Sequence, residues 1–355
     1  MSTESATTEI FRLPGLEPLG IEERREVTGH WLEKGPSKRL MVFAGRSHPE
    51  LAAAIADKLG VGLGEIALET FPNGETYCRY DESIRGSDLF LVQTGCHPVD
   101  RNVMELCLMI QAAKLASAKR ITAVIPWFPY SRQDRKAKPR EPISGRYVAD
   151  MLQLAGADRI LTMDLHAGQI QGFFNIPVDH MTALPLFGRH FRDLGLEGAG
   201  VVSVAPDAGR AKHAVRFAEM IGAGFAVMHK MRSDAETVEV TEVTGRVRDK
   251  IAIIGDDVST TGGTLIAGAT ALKEQGATDV WAFLTHALFS EKGLKALGES
   301  DLAGIVVTDT VPIDPRHRPE KMTVLPISGL LAETIMNVFS DDSVSAIFGG
   351  DTQLF

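Results

Sequence analysis

The stretch Ile251–Thr264, Ile-Ala-Ile-Ile-Gly-Asp-Asp-Val-Ser-Thr-Thr-Gly-Gly-Thr, constrains the fold of this chain more than any other. Its apolar, β-branched opening reads as a buried parallel strand. Asp256 and Asp257 stand where that strand should end, and Ser259, Thr260, Thr261, Gly262, Gly263 and Thr264 follow. Leu265–Gln275 then has helical composition closed by Gly276. Strand, small-residue turn and helix N-terminus together make an anion cradle, because glycines let backbone N–H groups converge and the helix dipole favours negative charge. Two acids just before the cradle can accept hydrogen bonds from neighbouring hydroxyls. A phosphate at one end and a vicinal diol at the other describe a ribose phosphate. The same residues would also serve a plain strand-to-helix turn with an Asp pair near its cap.

The chain is long enough for two domains at 355 residues, and 44% apolar with 23% charged residues is ordinary for a globular protein. A net charge of −9 argues against general binding to nucleic acid or membrane surfaces, but not against a local basic site for a small anion. Cys78, Cys96 and Cys107 form no C-x-x-C pair, which suits a reducing compartment and gives no zinc signature. No apolar run approaches membrane-spanning length, and Met1–Thr8 is small and polar, so a cytoplasmic protein is expected.

Residues 1–37 read as an extension, with Pro14, Gly15, Pro18 and Gly20 ahead of a charged stretch Ile21–Lys34 that suits a surface helix. An alternation of strands and helices follows. Strands are expected at Leu40–Ala44, Glu65–Glu69, Asp88–Gln93, Ile121–Pro126 and Ile160–Met163, with helices at Pro49–Leu59, Val103–Ser117 and Ile143–Leu154. A second set has strands at Val201–Val204, Phe225–Met228, Val280–Leu284, Ile305–Thr308 and Thr323–Leu325. It has helices at Ala211–Ile221 and Leu330–Val338, and a hairpin arm at Thr237–Thr241. The pattern predicts an α/β protein with two doubly wound parallel-sheet domains, 38–184 and 185–355.

Ligands of such sheets bind beyond the carboxyl ends of the strands, and the informative motifs fall there. After Ile121–Pro126, residues 127–140 interleave three aromatics with Arg132, Arg135, Lys136, Lys138 and Arg140, which suits a nucleotide base and its phosphates or a solvated basic loop. Asp164 and His166, two apart, share a side if the segment is extended, and could hold a divalent metal. Asp207, after Val201–Val204, reads either as a helix cap or as a partner for His166. Lys230 and Arg232 in His-Lys-Met-Arg project alike from an extended loop and suit charge on a transferring phosphoryl group. Phe71-Pro-Asn-Gly-Glu-Thr76 is a turn by composition.

The order of these motifs resembles the ribose-phosphate pyrophosphokinases from about Leu40 to Phe355. The runs Phe-Pro-Tyr-Ser-Arg-Gln-Asp-Arg-Lys and Met-Asp-Leu-His-Ala-Gly-Gln-Ile-Gln-Gly-Phe-Phe are specific to that family, whereas the Gly-Gly-Thr loop is shared with phosphoribosyltransferases. The resemblance implies a type I phosphoribosyltransferase-like architecture. It also implies transfer of the β,γ-diphosphoryl group of Mg-ATP to the anomeric hydroxyl of ribose 5-phosphate, giving phosphoribosyl diphosphate and AMP. By matching positions, Asp256, Asp257, Thr260, Thr261, Gly262, Gly263, Thr264 and Arg232 would bind ribose 5-phosphate. Phe71, Asn73, Gly74 and Glu75, from a neighbouring subunit, would bind ATP together with Arg132 and Gln133. His166 and Asp207 would help place Mg²⁺, and Lys230 and Arg232 would be catalytic residues on a mobile loop. Dimers assembling into a hexamer are implied, with Ser83, Arg85 and Arg140 matching a regulatory phosphate site.

Three departures stand out: Thr260 where many members carry a third acid, Arg210 where a small residue is usual, and the N-terminal extension. Arg210 would either crowd the metal site or point outward. The rival readings are a type I phosphoribosyltransferase, which should lack the ATP loop and the Lys230–Arg232 pair, and a regulatory paralogue, which should lose those cations or the metal ligands. All of these residues are present.

Overall fold

The computed structural model describes residues 38–234 and 237–345, with the backbone alone for 230–241. The expected extension and its surface helix therefore lie outside the described residues. From Lys38 onward the chain forms one compact unit. In chain order it runs β1 (Leu40–Ala44), α1 (Pro49–Leu59), β2 (Ile66–Thr70), β3 (Thr76–Tyr80), β4 (Asp88–Val92), α2 (Val99–Leu115), β5 (Arg120–Ile125), α3 (Ser144–Ala155), β6 (Arg159–Met163), β7 (Val178–Met181) and α4 (Leu184–Asp193). It continues with β8 (Val201–Ala205), α5 (Ala211–Ile221), β9 (Gly224–Asp234), β10 (Thr237–Thr244), β11 (Ile251–Ser259), α6 (Gly263–Glu274), β12 (Asp279–Ala287), α7 (Glu291–Glu299), β13 (Gly304–Thr308), β14 (Met322–Leu325) and α8 (Ser328–Ser340).

The α/β architecture is the one expected: two parallel sheets flanked by helices. The first sheet has the order β1-β4-β5-β6-β7, all parallel. Alternation along its strands feeds two cores. Val42, Phe90 and Val92 pack towards α1 and α8, while Phe43, Leu89 and Leu91 pack towards α2 and α3. Strands β2 and β3 form a separate antiparallel hairpin.

The second sheet has the order β10-β9-β8-β11-β12-β13-β14, parallel except for the β9–β10 edge. Chain order reverses between β8 and β11, so the loops after those two strands diverge and leave a crevice, the place where open α/β sheets take ligands. Phe283 of β12 packs against α4 and α5, its ring centred 4.7 Å from Phe187 and 4.4 Å from Phe217.

Strand β7, which the sequence reading left as a connection, carries His180. Its Nε2 accepts a hydrogen bond from the Leu165 backbone N–H at 2.8 Å, which requires the neutral ring. Burial pushes its pKa down to about 4, with His286 adding to the shift and Asp164 opposing it. The unfolded chain protonates this ring below about 6.5 and the folded chain does not until about 4, so stability is complete above that window and is lost as pH falls through it. Urea titrations at pH 7 and pH 4.5 should differ by roughly 2–3 kcal/mol from this group, and His180→Gln should flatten the difference. An equal slope in the variant would assign the acid sensitivity elsewhere.

Candidate active site

Strand β11 runs past the acids rather than stopping at them. It pairs with β8 only as far as Ile254, but with β12 through to Ser259 opposite Ala287. One-sided pairing carries Asp256 and Asp257 out of the sheet's middle, where one guanidinium reaches both carboxylates. Asp257 is buried. Its Oδ2 lies 2.7 Å from His166 Nδ1 and against Arg210 Nη2. The Arg210 guanidinium also sits 3.6 Å from Asp256 Oδ1 through Nε, and Nη2 lies 3.3 Å from the His166 carbonyl oxygen.

The electrostatics split the pair. Burial and the adjacent Asp257 push Asp256 up to about 8. Burial works against ionisation of Asp257 as well, but the hydrogen bond from His166 and the charge of Arg210 outweigh it and hold its carboxyl below the usual range. Nδ1 of His166 faces both the Asp257 carboxylate, which can only accept, and Arg210 Nη2 at 3.0 Å, which can only donate.

The loop after β11 is shaped by Gly262, with φ +73 and a position where any Cβ would come within 2.7 Å of Leu297 Cγ. Ser259 Oγ accepts from the Gly262 N–H at 3.1 Å, and Thr260 offers its carbonyl to the Ser290 N–H at 3.1 Å, ahead of α7. Thr260, Thr261 and Gly263 remain exposed at the start of α6, so the cradle expected from sequence is open to solvent.

Asp207 follows β8 and caps a single 3-10 turn, Ala208–Arg210, accepting from the Arg210 N–H at 3.2 Å. The capping role is thus the one formed, and it is the guanidinium of the capped Arg210 that reaches His166. Asp164 and His166 both border one cleft, but the extended segment that was to align them does not continue through Asp164. Asp164 has φ +32, which breaks the alternation, and its carboxylate turns into the core towards Ala183 and Thr285. Arg210 points inward, a role that sequence reasoning left open.

The basic loop reaches the same place. Arg132 Nη2 lies 3.4 Å from the Val258 carbonyl, and the Gln133 side chain is tied to Ser144 at 2.5 Å. Asp134, Arg135, His166, Arg210, Lys212 and Asp257 contribute to the wall of a cleft of about 1130 Å³. Phe71, Asn73, Gly74 and Glu75 occupy the β2–β3 turn, where Gly74 has φ +92, and none of them is among the described residues lining that cleft. Ser83 and Arg85 line a different hollow of about 470 Å³ beside α2, which Arg140 does not border. Lys230 and Arg232 lie on strand β9, opposite Val240 and Val238, and not in a loop.

No group of three or more His, Cys, Asp or Glu among the described residues converges as a metal cage. No helix among them is long and apolar enough to cross a membrane.

Comparison with known proteins bears on most of the chain. Residues 40–156 match the family model described as the N-terminal domain of ribose phosphate pyrophosphokinase, and residues 237–349 match the phosphoribosyl synthetase-associated domain. The chain is 46% identical over 314 residues to ribose-phosphate pyrophosphokinase 2 of Schizosaccharomyces pombe, covering 88% of this chain and 98% of the relative. It is 45% identical over 328 residues to the ribose-phosphate pyrophosphokinase of Corynebacterium efficiens, covering 92% of this chain and all of the relative. Among solved structures, phosphoribosylpyrophosphate synthetase from Mycobacterium smegmatis superposes with a TM-score of 0.79 at 43% identity, covering 86% of this chain and 100% of that one.

Proposed function

The chain belongs to the ribose-phosphate pyrophosphokinase family, and on that footing we propose how its own residues carry out diphosphoryl transfer from ATP to ribose 5-phosphate. Asp256 and Asp257 take the ribose hydroxyls, and Thr260–Thr264 at the N-terminus of α6 take the 5-phosphate. Arg132 and Gln133 take part of ATP. Phe71, Asn73, Gly74 and Glu75, exposed on the β2–β3 turn, act on ATP from a neighbouring copy of the chain, as the family resemblance implies. A homo-oligomer follows from that requirement. The hollow beside Ser83 and Arg85 is the place for a regulatory anion, with Arg140 acting on it from another copy.

Mg²⁺ suits a site of few protein ligands, because it keeps waters and leans on substrate phosphates rather than a protein cage. His166 and Asp207 are the residues that would hold it, and the ion would neutralise charge on the phosphates. The remaining work is positioning. The acid pair fixes the sugar so that its anomeric hydroxyl meets the β-phosphorus in line, and Lys230 and Arg232 meet the charge that builds on the transferred group. The 38–184 half then supplies the nucleotide loops and the 185–355 half the sugar loop, in a protein expected in the cytoplasm.

The observation that carries this reading is the meeting of His166 with Asp257 at 2.7 Å and of Arg132 with the Val258 carbonyl at 3.4 Å, which joins the basic loop to the acid pair. The test is product identity. With ATP, Mg²⁺ and ribose 5-phosphate, AMP and phosphoribosyl diphosphate should form in equal amounts. ADP in their place would mean attack at the γ-phosphorus and would sink the reading. No nucleotide product from folded protein would favour a regulatory paralogue.

A further inference from the structure

Arg210 is built into the acid pair rather than set beside it. Its backbone N–H is held by Asp207, and its guanidinium touches Asp257, approaches Asp256 and lies 3.0 Å from the His166 ring. The side chain is 18% exposed, so this contact is largely shielded from solvent. It spans the topological break, running from the end of β8 to the end of β11 with His166 of the first sheet's loop between them. A planar fork with several donors can hold carboxylates in one orientation while leaving other lone pairs to accept hydroxyl hydrogens.

We propose that Arg210 is a resident cation of the acid pair, which lets Asp256 and Asp257 receive sugar hydroxyls without a divalent ion bound to them. The proposal rests on the reading that these acids hold ribose 5-phosphate. Without a fixed cation, two adjacent carboxylates in one shielded place repel each other, and a metal ion would have to hold them in position for the sugar hydroxyls. With Arg210 in place, the charge is balanced from within the chain. Arg210 is thus a positioning residue that sets where a metal is needed: on the phosphates, not on the sugar acids.

The test is calorimetric titration of ribose 5-phosphate into the full chain without nucleotide, once in EDTA and once with Mg²⁺. Wild-type affinity should change by less than about threefold between the buffers, whereas Arg210→Ala should bind about tenfold or more weakly in EDTA and recover with Mg²⁺. Manganese titration followed by electron paramagnetic resonance, again without nucleotide, should reveal an added Mn²⁺ site in Arg210→Ala that the wild type lacks. Arg210→Lys keeps the charge and loses the fork, so it should fall between the two, and it serves as the reading if the alanine variant loses its native circular dichroism. Equal metal dependence in wild type and variant overturns the proposal, as does tighter sugar binding by Arg210→Ala in EDTA, which would make the guanidinium a plug. Failure of the wild type to bind ribose 5-phosphate in either buffer is a separate result that removes the acid-pair reading and the proposal with it.

Discussion

Replacing Lys230 with alanine should slow AMP formation about 10²–10³-fold while leaving ribose 5-phosphate affinity within about threefold. The expectation follows from the kind of reaction. Diphosphoryl transfer needs no covalent intermediate, so catalysis is positioning plus neutralisation of charge as the β-phosphorus changes partners. A cation that acts only as that charge develops contributes to the rate and little to ground-state binding. The backbone supports the assignment. Strand β9 pairs with β8 only from Gly224 to Val227, and beyond that point it pairs with β10 alone as far as Asp234. Lys230 and Arg232 thus sit on a two-stranded arm that runs on past the carboxyl end of β8, the end that Asp207 follows. A two-stranded ribbon without a third strand has little stability of its own, which suits the mobile-loop role that the family resemblance implies. Rapid-quench measurement of AMP, with equilibrium binding of the sugar phosphate alongside, separates the two effects. Lys230→Arg should recover part of the rate. Equal rates for wild type and Lys230→Ala would remove Lys230 from the mechanism.

Much of this fold is legible in the sequence because buried parallel strands announce themselves as short β-branched runs. The expected bounds of β1, α1 and α5 agree with those formed. Among the described residues four elements escaped: β3, β7, α4 and α7. Strand β7 is Val-Asp-His-Met, with polar residues at its centre, α4 carries Pro185 in its first turn and Gly188 in its middle, and α7 carries Gly293 and Gly298. Strand β3, Thr-Tyr-Cys-Arg-Tyr, has ordinary strand composition but follows directly on the Pro-Asn-Gly turn. Strand β11 was expected to stop at its acids, because carboxylates are depleted in strands. The unequal length of its two neighbours, which no local pattern encodes, carries it on to Ser259. The site divides the same way. Cradle, acid pair and basic loop are local motifs and can be read directly. The contact between His166 and Asp257, 91 residues apart, and the inward turn of Arg210 depend on how the sheets meet. Parity failed at Asp164 because one positive φ at the end of a strand reassigns every side chain after it.

Asp164 supplies the largest expected loss of stability. Its Oδ2 accepts from the Ala183 N–H at 2.9 Å, which leads into α4, and from Thr285 Oγ1 at 2.6 Å on β12 of the other sheet. The backbone around it is engaged as well, with its N–H on the Met181 carbonyl at 2.8 Å and its carbonyl 3.2 Å from His286 Nε2. Both His286 and Thr285 are buried. Asp164→Ala therefore strands a buried N–H and a buried hydroxyl, each costing about 1–3 kcal/mol, for a total loss of roughly 2–5 kcal/mol. Asp164→Asn keeps an oxygen where both donors point, and asparagine tolerates positive φ, so it should lose less than about 1.5 kcal/mol. The contrast separates two roles for this residue. A metal ligand paired with His166 would make the asparagine variant stable but inactive, with activity restored only at high Mg²⁺. A clasp between the sheets makes it active and slightly less stable, and makes the alanine variant unfold at lower urea with its activity retained wherever it remains folded. Urea midpoints and AMP formation measured on the same two variants decide between them, and the hold of Ala183 and Thr285 on this carboxylate predicts the clasp.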